Sequence, residues 1–306
     1  WRITPGSLVP DEDQGFYISA VILPDGASLD RTDKVVREVE AQMRANPANL
    51  DIVSFAGFDL IGGGFRNNAA TIFVTQVPWE QRRVTAAQLV GELFGRTMGI
   101  KDALVLAFNP PAIFGLGMAG GYELYLQNRG EGGAKRLQEV TYAFLGRANA
   151  DPMLGGAQTL WRATVPQVRV DVDREKAKKL GVALEDLYGA LSGTLGTYYV
   201  NDFNKYGRTW QVLMSADPQF RKRPDDIGGV YVRARDGSMI PISSLAEVKF
   251  TSGPDSLDRF NNLPAVKIIG QAAPGISSGQ AIARVEQIAA EVLPPDFSFD
   301  WGGTSY

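Results

Sequence analysis

Four stretches of the chain repeat apolar residues at the three-to-four spacing of an amphipathic helix. In the first, Leu29, Thr32, Val35, Val36, Val39 and Met43 share one face, Ser28 stands where an N-cap would, and Asn46-Pro47 stops the run. In the second, Thr85 precedes Gln88 by the spacing of a capping box, and Leu89, Val90, Leu93 and Phe94 follow on one face. Leu137, Val140, Phe144 and Leu145 define the third. The fourth covers 277–292, presents Ile282, Val285, Ile288 and Ala289, and ends at Pro294-Pro295.

Short apolar runs flank these helices and predict strands at 16–23, 52–55, 71–74, 103–108, 122–126, 159–161, 266–270 and 297–301. The order strand, helix, strand, strand, helix, strand is that of a split βαβ, ferredoxin-like unit, with helices on one face of an antiparallel sheet. The first and last helices are entered alike. Leu23-Pro24-Asp25-Gly26-Ala27-Ser28 and Ala273-Pro274-Gly275-Ile276-Ser277 each give a strand end, a Pro and Gly turn, and a Ser cap. Such turns enter helices of many kinds, but here they point to two related units meeting near residue 117.

The second unit is interrupted between 161 and 266. The interruption has its own elements: a strand at 168–172, a short helix at 173–180 closed by Gly181, a helix at 184–195, a hairpin of 198–203 with 209–214, and a second hairpin around Asp236-Gly237. An inserted domain is expected.

Composition removes most chemistry. The 306 residues include no cysteine and no histidine. Disulfides, thiol nucleophiles and zinc–thiolate sites need the first, and Ser-His-Asp triads and H-E-x-x-H zinc sites need the second. What survives is chemistry by carboxylates, Lys, Tyr or backbone amides, or no bond-making at all, and the chain is read as the second, a non-enzyme with no catalytic residue, no metal and no cofactor. Lys plus Arg number 31 against 34 for Asp plus Glu, a net charge of -3, which argues against a nucleic-acid partner. The run 104–122 is uncharged over a membrane-spanning length, but Asn109-Pro110-Pro111 and the glycines at 115, 117, 120 and 121 make it strand, loop, strand. The chain begins at Trp1 with neither Met nor a charged leader, so it is expected to be a segment of a longer protein.

Gly62-Gly63-Gly64-Phe65-Arg66 lacks the spacing of a phosphate-binding loop and is expected to be a mobile loop among bulky apolar residues, with a tight structural turn as the alternative. Phe55, Phe58, Leu60, Phe73, Leu106, Phe108 and Phe114 gather near strand ends around it, as core or as the wall of an apolar pocket. Asp11-Glu12-Asp13 has no second acidic cluster to work with. The tip 204–208 of the first inserted hairpin is either a protein-docking element or a solvated turn.

Six ordered motifs carry a resemblance: 8–15 (LVPDEDQG), 107–113 (AFNPPAI), 199–203 (YVNDF), 224–227 (PDDI), 270–275 (GQAAPG) and 300–302 (DWG). Together they resemble the large second periplasmic loop of resistance-nodulation-division (RND) efflux pumps of the hydrophobe/amphiphile branch, the AcrB and MexB type. The resemblance implies an α+β fold of two ferredoxin-like split βαβ porter subdomains with an α+β docking subdomain inserted in the second. By it, 1–117 is the first porter subdomain, 118–163 with 260–306 the second, and 164–259 the docking insert.

It also implies roles. Phe58 and Leu60 match switch-loop aromatics, Leu60 replacing the usual Phe, with Gly57, Gly62, Gly63 and Gly64 in a glycine stretch about two residues longer than usual. Phe73 matches a deep-pocket aromatic; Ala20, Ile22, Leu106, Phe108 and Pro110 match positions around an access pocket; Lys267 stands where some relatives carry an acid. Tyr199, Asn201, Asp202 and Asn204 match a docking hairpin. The implied function is proton-driven export of amphiphilic drugs and other hydrophobic compounds, with a lipid exporter or scaffold as the alternative. The implied partners are hydrophobic or amphiphilic small molecules, the rest of a homotrimeric pump, a periplasmic adaptor protein and an outer-membrane channel. The implied location is the periplasmic side of the inner membrane of a Gram-negative bacterium.

Overall fold

In the computed structural model, which describes residues 12–111, 113 and 121–306, the first half of the chain runs β1 (Phe16–Ile22), α1 (Leu29–Arg44), β2 (Asn49–Asp59), β3 (Gly64–Gln76), α2 (Ala86–Thr97) and β4 (Leu104–Phe108). Its strands lie in the order β2-β3-β1-β4, every pair antiparallel. After β5 (Tyr122–Asn128), α3 (Gly133–Asn149) and β6 (Leu154–Gln158) come β7 (Val165–Val172), α4 (Arg174–Lys179), α5 (Leu184–Leu195), β8 (Tyr198–Lys205), β9 (Arg208–Met214), β10 (Tyr231–Arg233), β11 (Met239–Pro241) and β12 (Ala246–Gly253). The chain closes with β13 (Arg259–Phe260), β14 (Leu263–Ala272), α6 (Ser278–Val292) and β15 (Phe297–Gly302). The second sheet pairs β6 with β14, β14 with β5, and β5 with β15. Strand for strand this is the order of the first sheet, so the fold is α+β with the split βαβ pattern twice.

Contacts divide the chain into Trp1–Val165 with Pro254–Tyr306, which holds both sheets, and Pro166–Gly253. The latter encloses its own core of Ala177, Val182, Leu187, Leu191, Ile227, Val232, Ile242 and Leu245. Phe114 and residues 8–11, as well as the point near 117 where the related units are expected to meet, lie outside the described residues.

The duplicated entry turns are built alike. Ala27 N–H donates to Pro24 O at 3.1 Å and Ile276 N–H to Ala273 O at 3.0 Å, across Gly26 at φ 79° and Gly275 at φ 83°. A left-handed backbone is where glycine is at ease and other residues are strained. Ser28 then accepts from Arg31 N, while Ser277 with Gln280, like Thr85 with Gln88, forms a reciprocal capping box. Helices α1 and α2 cover one face of the first sheet with Tyr17, Val21, Ile72 and Val74 beneath them. Helices α3 and α6 cover Leu124, Leu126, Val266 and Ile268 of the second.

Several predicted boundaries shift. Strands β2 and β3 extend well beyond 52–55 and 71–74 to meet at the glycine stretch, because the ladder continues through a bulge at Ala56/Phe58. The strand expected at 159–161 lies instead at Leu154–Gln158, which pairs with β14 through Leu154, Ala157 and Gln158 across an irregularity at Gly155 and Gly156. Thr159 and Trp161 follow it, held by side-chain bonds to Lys267 O and Ser256 O. Leu29 and Phe94, placed on buried helix faces, are 44% and 57% exposed. Strand β12 alternates Ala246, Val248 and Phe250 with Glu247, Lys249 and Thr251 and was readable at period two, whereas β13 is only two residues long; neither was predicted. Among the described residues no helix is long and apolar enough to cross a membrane.

Asp13 fastens the start of the chain to α2. Its carboxylate accepts from Arg82 Nη2 and Nη1 at 2.6 and 2.8 Å, from Ala86 N at 2.9 Å and from Gly15 N at 3.0 Å. The Arg82 bonds, outweighing burial, hold this carboxyl well below the usual carboxylate range. A depressed native pKa stabilises the fold above the unfolded-state value, about 3.9, and that contribution is lost as pH falls below it. Asp13→Asn leaves the buried Arg82 without its anion, so urea unfolding at neutral pH is expected to show a loss of about 3 kcal/mol. The gap between the two proteins narrows as the titration is repeated from about pH 5 down to about pH 3.

Candidate apolar binding face and cleft

Two helices cover one face of a split βαβ sheet, which leaves the other face for something else. On the first sheet the cross-strand rows of this free face are Val53–Phe73–Ile18–Phe108 and Phe55–Thr71–Ala20–Leu106, continued by Ala69–Ile22–Leu104. Ile18, Ala20, Phe108 and Ile61 are buried there, with Phe16, Ile22, Leu60, Phe73, Leu106, Leu160 and Ile269 packed against them. Six of the residues singled out from the sequence, Ala20, Ile22, Leu60, Phe73, Leu106 and Phe108, thus share one cluster. Phe58 joins through rings: Phe55 stands 6.5 Å from Phe58 and 5.9 Å from Phe73, and Phe58 stands 5.6 Å from Phe65, which is 88% exposed. An aromatic file therefore leads from solvent to the cluster.

Pro110 is buried just past β4 and Lys267 lies on the second sheet; neither belongs to this cluster. Sequence reasoning missed Ile18, Ile61, Leu160 and Ile269. Ile18 shares the parity of Ala20 and Ile22 on β1 and was readable from alternation; Leu160 and Ile269 come from the other half of the chain.

The glycine stretch is a hairpin turn. Asp59, 3% exposed, accepts from Gly62 N at 2.8 Å through its carboxylate and from Gly63 N at 2.9 Å through its carbonyl. A Cβ at Gly62 would overlap that carboxylate, and Gly63 has φ 75°. Gly57, at φ 87°, sits in the bulge of β2, and Gly64 opens β3. Thr71 Oγ1 ties the base by donating to Phe58 O at 2.9 Å and accepting from Leu60 N at 3.1 Å. Arg66 Nε lies 3.5 Å from Asp59 Oδ2, and its Nη1 donates to Asp255 in the segment leading to β13. A second ion pair, Arg162 with Asp25 at 2.8 Å, also joins the two halves.

A cleft of about 380 Å³ opens between β4 and the β6/β14 edge. Leu106 and Phe108 form one wall, Ile269 and the glycines 155, 156 and 270 the other, with Asn149, Gln158 and Gln271 as its polar side chains. Among the described residues no charged side chain lines it. The floor depends on glycine: a Cβ at Gly270 would overlap the phenol of Tyr122, whose hydroxyl burial pushes up to about 12. Apolar walls with a few amides hold a greasy molecule by area and orient it weakly.

In the other unit β8 and β9 form a two-stranded hairpin turning at Tyr206 and Gly207 (φ 55° and 70°). Every residue of both strands is exposed. A bulge separates Tyr199 from Asn201, Asn204 Oδ1 accepts from Thr209 Oγ1 at 2.9 Å, and a hydrogen bond to Asp202 raises the Tyr199 hydroxyl pKa. Tyr199, Asn201, Asp202 and Asn204 are thus on a surface element, apart from the apolar cluster.

All 306 residues match the family described as AcrB/AcrD/AcrF. The chain is 36% identical over 309 residues to the multidrug/solvent efflux pump membrane transporter MepB of Pseudomonas putida, covering 99% of this chain and 29% of that protein. It is 37% identical over 308 residues to the multidrug export protein AcrF of Escherichia coli K12, covering 99% and 30%. Against the multidrug resistance protein MdtF of the same strain the identity is 34% over 310 residues, covering 99% and 30%. The chain spans about three tenths of the length of these curated relatives.

Asp255→Asn weakens the hold on Arg66 without touching either core. Amide exchange at Gly62 and Gly63 is expected to quicken by about tenfold, as for loss of about 1.4 kcal/mol of local protection, with the urea midpoint nearly unchanged. Gly270→Ala forces Tyr122 from its seat and is expected to cost about 2 kcal/mol in urea unfolding.

Proposed function

The chain belongs to the AcrB/AcrD/AcrF family, and from that premise we propose that it is the periplasmic substrate-handling and docking portion of a proton-driven RND efflux transporter that exports amphiphilic drugs and other hydrophobic compounds. The observation that carries this reading is the free face of the first sheet, where a buried apolar cluster continues through Phe73, Phe55 and Phe58 to the exposed Phe65 at a glycine hairpin. In the proposal 1–117 is the first porter subdomain, 118–163 with 260–306 the second, and 164–259 the docking insert, whose β8–β9 hairpin faces an outer-membrane channel.

The chemistry is binding and release, with no bond made or broken. Apolar area buried against Phe73, Leu106 and Phe108 supplies affinity at about 25 cal/mol per Å². Few polar groups constrain the pose, so molecules of different outline fit the same walls. The hairpin at Gly62 and Gly63 passes substrate between the cleft and the aromatic file as the two halves move as bodies. Proton flow through other parts of a homotrimeric inner-membrane pump of a Gram-negative bacterium supplies the energy, and a periplasmic adaptor completes the route. The named relatives are membrane transporters, which supports transport rather than catalysis as the task.

The test is the full-length pump carrying Phe58→Ala with Phe73→Ala. Each aromatic contact is worth about 1 kcal/mol, so uptake-corrected efflux of a hydrophobic dye is expected to fall by about tenfold or more. Unchanged efflux of every compound overturns the reading. Loss confined to long-chain lipids replaces it with lipid export.

A further inference from the structure

The two ion pairs that join the halves of the chain belong to a closed ring of polar contacts. It starts at the glycine hairpin, where Asp59 accepts from Gly62 N at 2.8 Å through Oδ1 and holds Arg66 Nε at 3.5 Å through Oδ2. Arg66 Nη1 donates onward to Asp255, in the segment that leaves the inserted unit. Asp255 N–H donates to Arg162 O at 2.9 Å, and Trp161 Nε1 donates to Ser256 O at 2.9 Å. The segments that enter and leave the insert are thus bonded to each other across its neck. Arg162 Nη2 pairs in turn with Asp25 Oδ1 at 2.8 Å, in the entry turn of α1. From there the ring returns to its start. Leu23 N–H donates to Asn68 O at 2.8 Å, Asn68 Nδ2 to Leu23 O at 3.1 Å, and Thr32 Oγ1 to Asn67 O at 2.6 Å, immediately after Arg66.

Links in a closed ring hold one another in place. While the others stand, each pair is kept at bonding distance by the backbone on both sides; once one is lost, its neighbours must restrain segments that have regained their freedom. The side chains of Asp59 and Asp25 are only 3% and 15% exposed, and carboxylates so well covered are costly to leave without their cations. Two glycines supply the give. Gly63 in the hairpin and Gly26 in the entry turn have φ 75° and 79°, and no atom stands within 4 Å of where a Cβ would lie at either. Polar contacts therefore restrain these turns where side-chain packing does not.

We propose that this ring is one latch, closed or open as a whole, so that movement at the neck of the insert releases the glycine hairpin and the entry turn of α1 together. Arg162 and Asp255 are the two sides of the neck, and each also carries one ion pair to the first half. A displacement that parts Asp255 N from Arg162 O draws Asp255 away from Arg66 and Arg162 away from Asp25. Arg66 is then left to Asp59, the same carboxylate that fastens Gly62. The coupling runs both ways, because a link that stabilises the closed ring is stabilised by it in equal measure. The latch is a property of the chain's own contacts and stands whether or not the cleft carries a substrate.

The test is amide hydrogen exchange in the 306-residue chain, read residue by residue. Arg162→Gln and Asp25→Ala each break the ion pair remote from the hairpin and touch none of Gly62, Gly63 and Arg66. In both, exchange at Gly62 and Gly63 is expected to quicken by about fivefold, the change for an ion pair at the upper end of the partly exposed range. Asp255→Asn is expected to quicken exchange by a similar factor at Ala27, whose N–H donates to Pro24 O in the entry turn. Asp102→Asn breaks the exposed pair with Arg31 outside the ring and is expected to leave all three amides unchanged. Quickening confined to the turn beside each broken pair overturns the proposal, and so does equal quickening in Asp102→Asn. Urea midpoints separate the latch from unfolding: if Arg162→Gln and Asp25→Ala quicken exchange only in step with a lowered midpoint and across the whole first sheet, the latch is overturned too. None of these outcomes bears on dye efflux by the Phe58 and Phe73 variant, so the two readings fail separately.

Discussion

The helices of a split βαβ unit can reach only one face of its sheet, and a bare apolar sheet face is unstable in water. In this chain the unit occurs twice within one body, and each half meets that constraint differently. The first sheet turns an apolar surface to its free side and covers part of it with Leu60, Ile61, Leu160 and Ile269. The second turns out Glu123, Tyr125 and Lys267, which satisfy one another, and Gln127, which donates to Phe260 O and accepts from Ser298 Oγ. Where the covering is incomplete, between β4 and the β6/β14 edge, a cleft remains. Binding capacity here is what is left after a sheet has been only partly covered.

Polar ties rather than further apolar burial set how the halves meet. Arg66 and Arg162 each cross from one half to the other, to Asp255 and to Asp25. Partly exposed ion pairs contribute little to stability, but they fix register. The hairpin between β2 and β3 is held by the same groups: Asp59 fastens the turn and, with Asp255, Arg66. The glycine turn is thereby coupled to the segment through which the chain re-enters the second sheet.

The sequence made the helices and their caps legible, because Ser28, Thr85 and Ser277 act on backbone groups within three residues. Its resemblance also marked Ala20, Ile22, Phe73, Leu106 and Phe108 as positions around apolar pockets. What it hid was long-range or locally disguised. Strand β6 was placed some residues too late because nothing local reveals that Leu154, Ala157 and Gln158 will pair with β14. The stretch 58–64 reads as a loose loop because the closure depends on one residue, Asp59, whose carboxylate accepts from Gly62 N and whose carbonyl accepts from Gly63 N. The pairing of Lys267 with Glu123 was hidden too, because Glu123 lies on a strand far away in sequence, on the other side of the inserted unit.

The position of that insertion bears on how the molecule is assembled. In the first half β2 and β3 are joined by a short glycine turn, and their pairing is local. Their counterparts β6 and β14 are separated from Gln158 to Leu263 by about a hundred residues, so their pairing waits on closing a long loop. The inserted unit, once folded, shortens that loop. Strands β7 and β12, at its two ends, pair with each other, and Asp255 N–H bonds Arg162 O just outside them. Once they are paired the open chain between β6 and β14 shrinks to roughly fifteen residues, which lowers the closure entropy by about 1.7 kcal/mol. The insert is thus the clamp through which the second sheet closes, and damage to its core at Leu187 or Ile242 would be felt as slow completion of a sheet it is not part of.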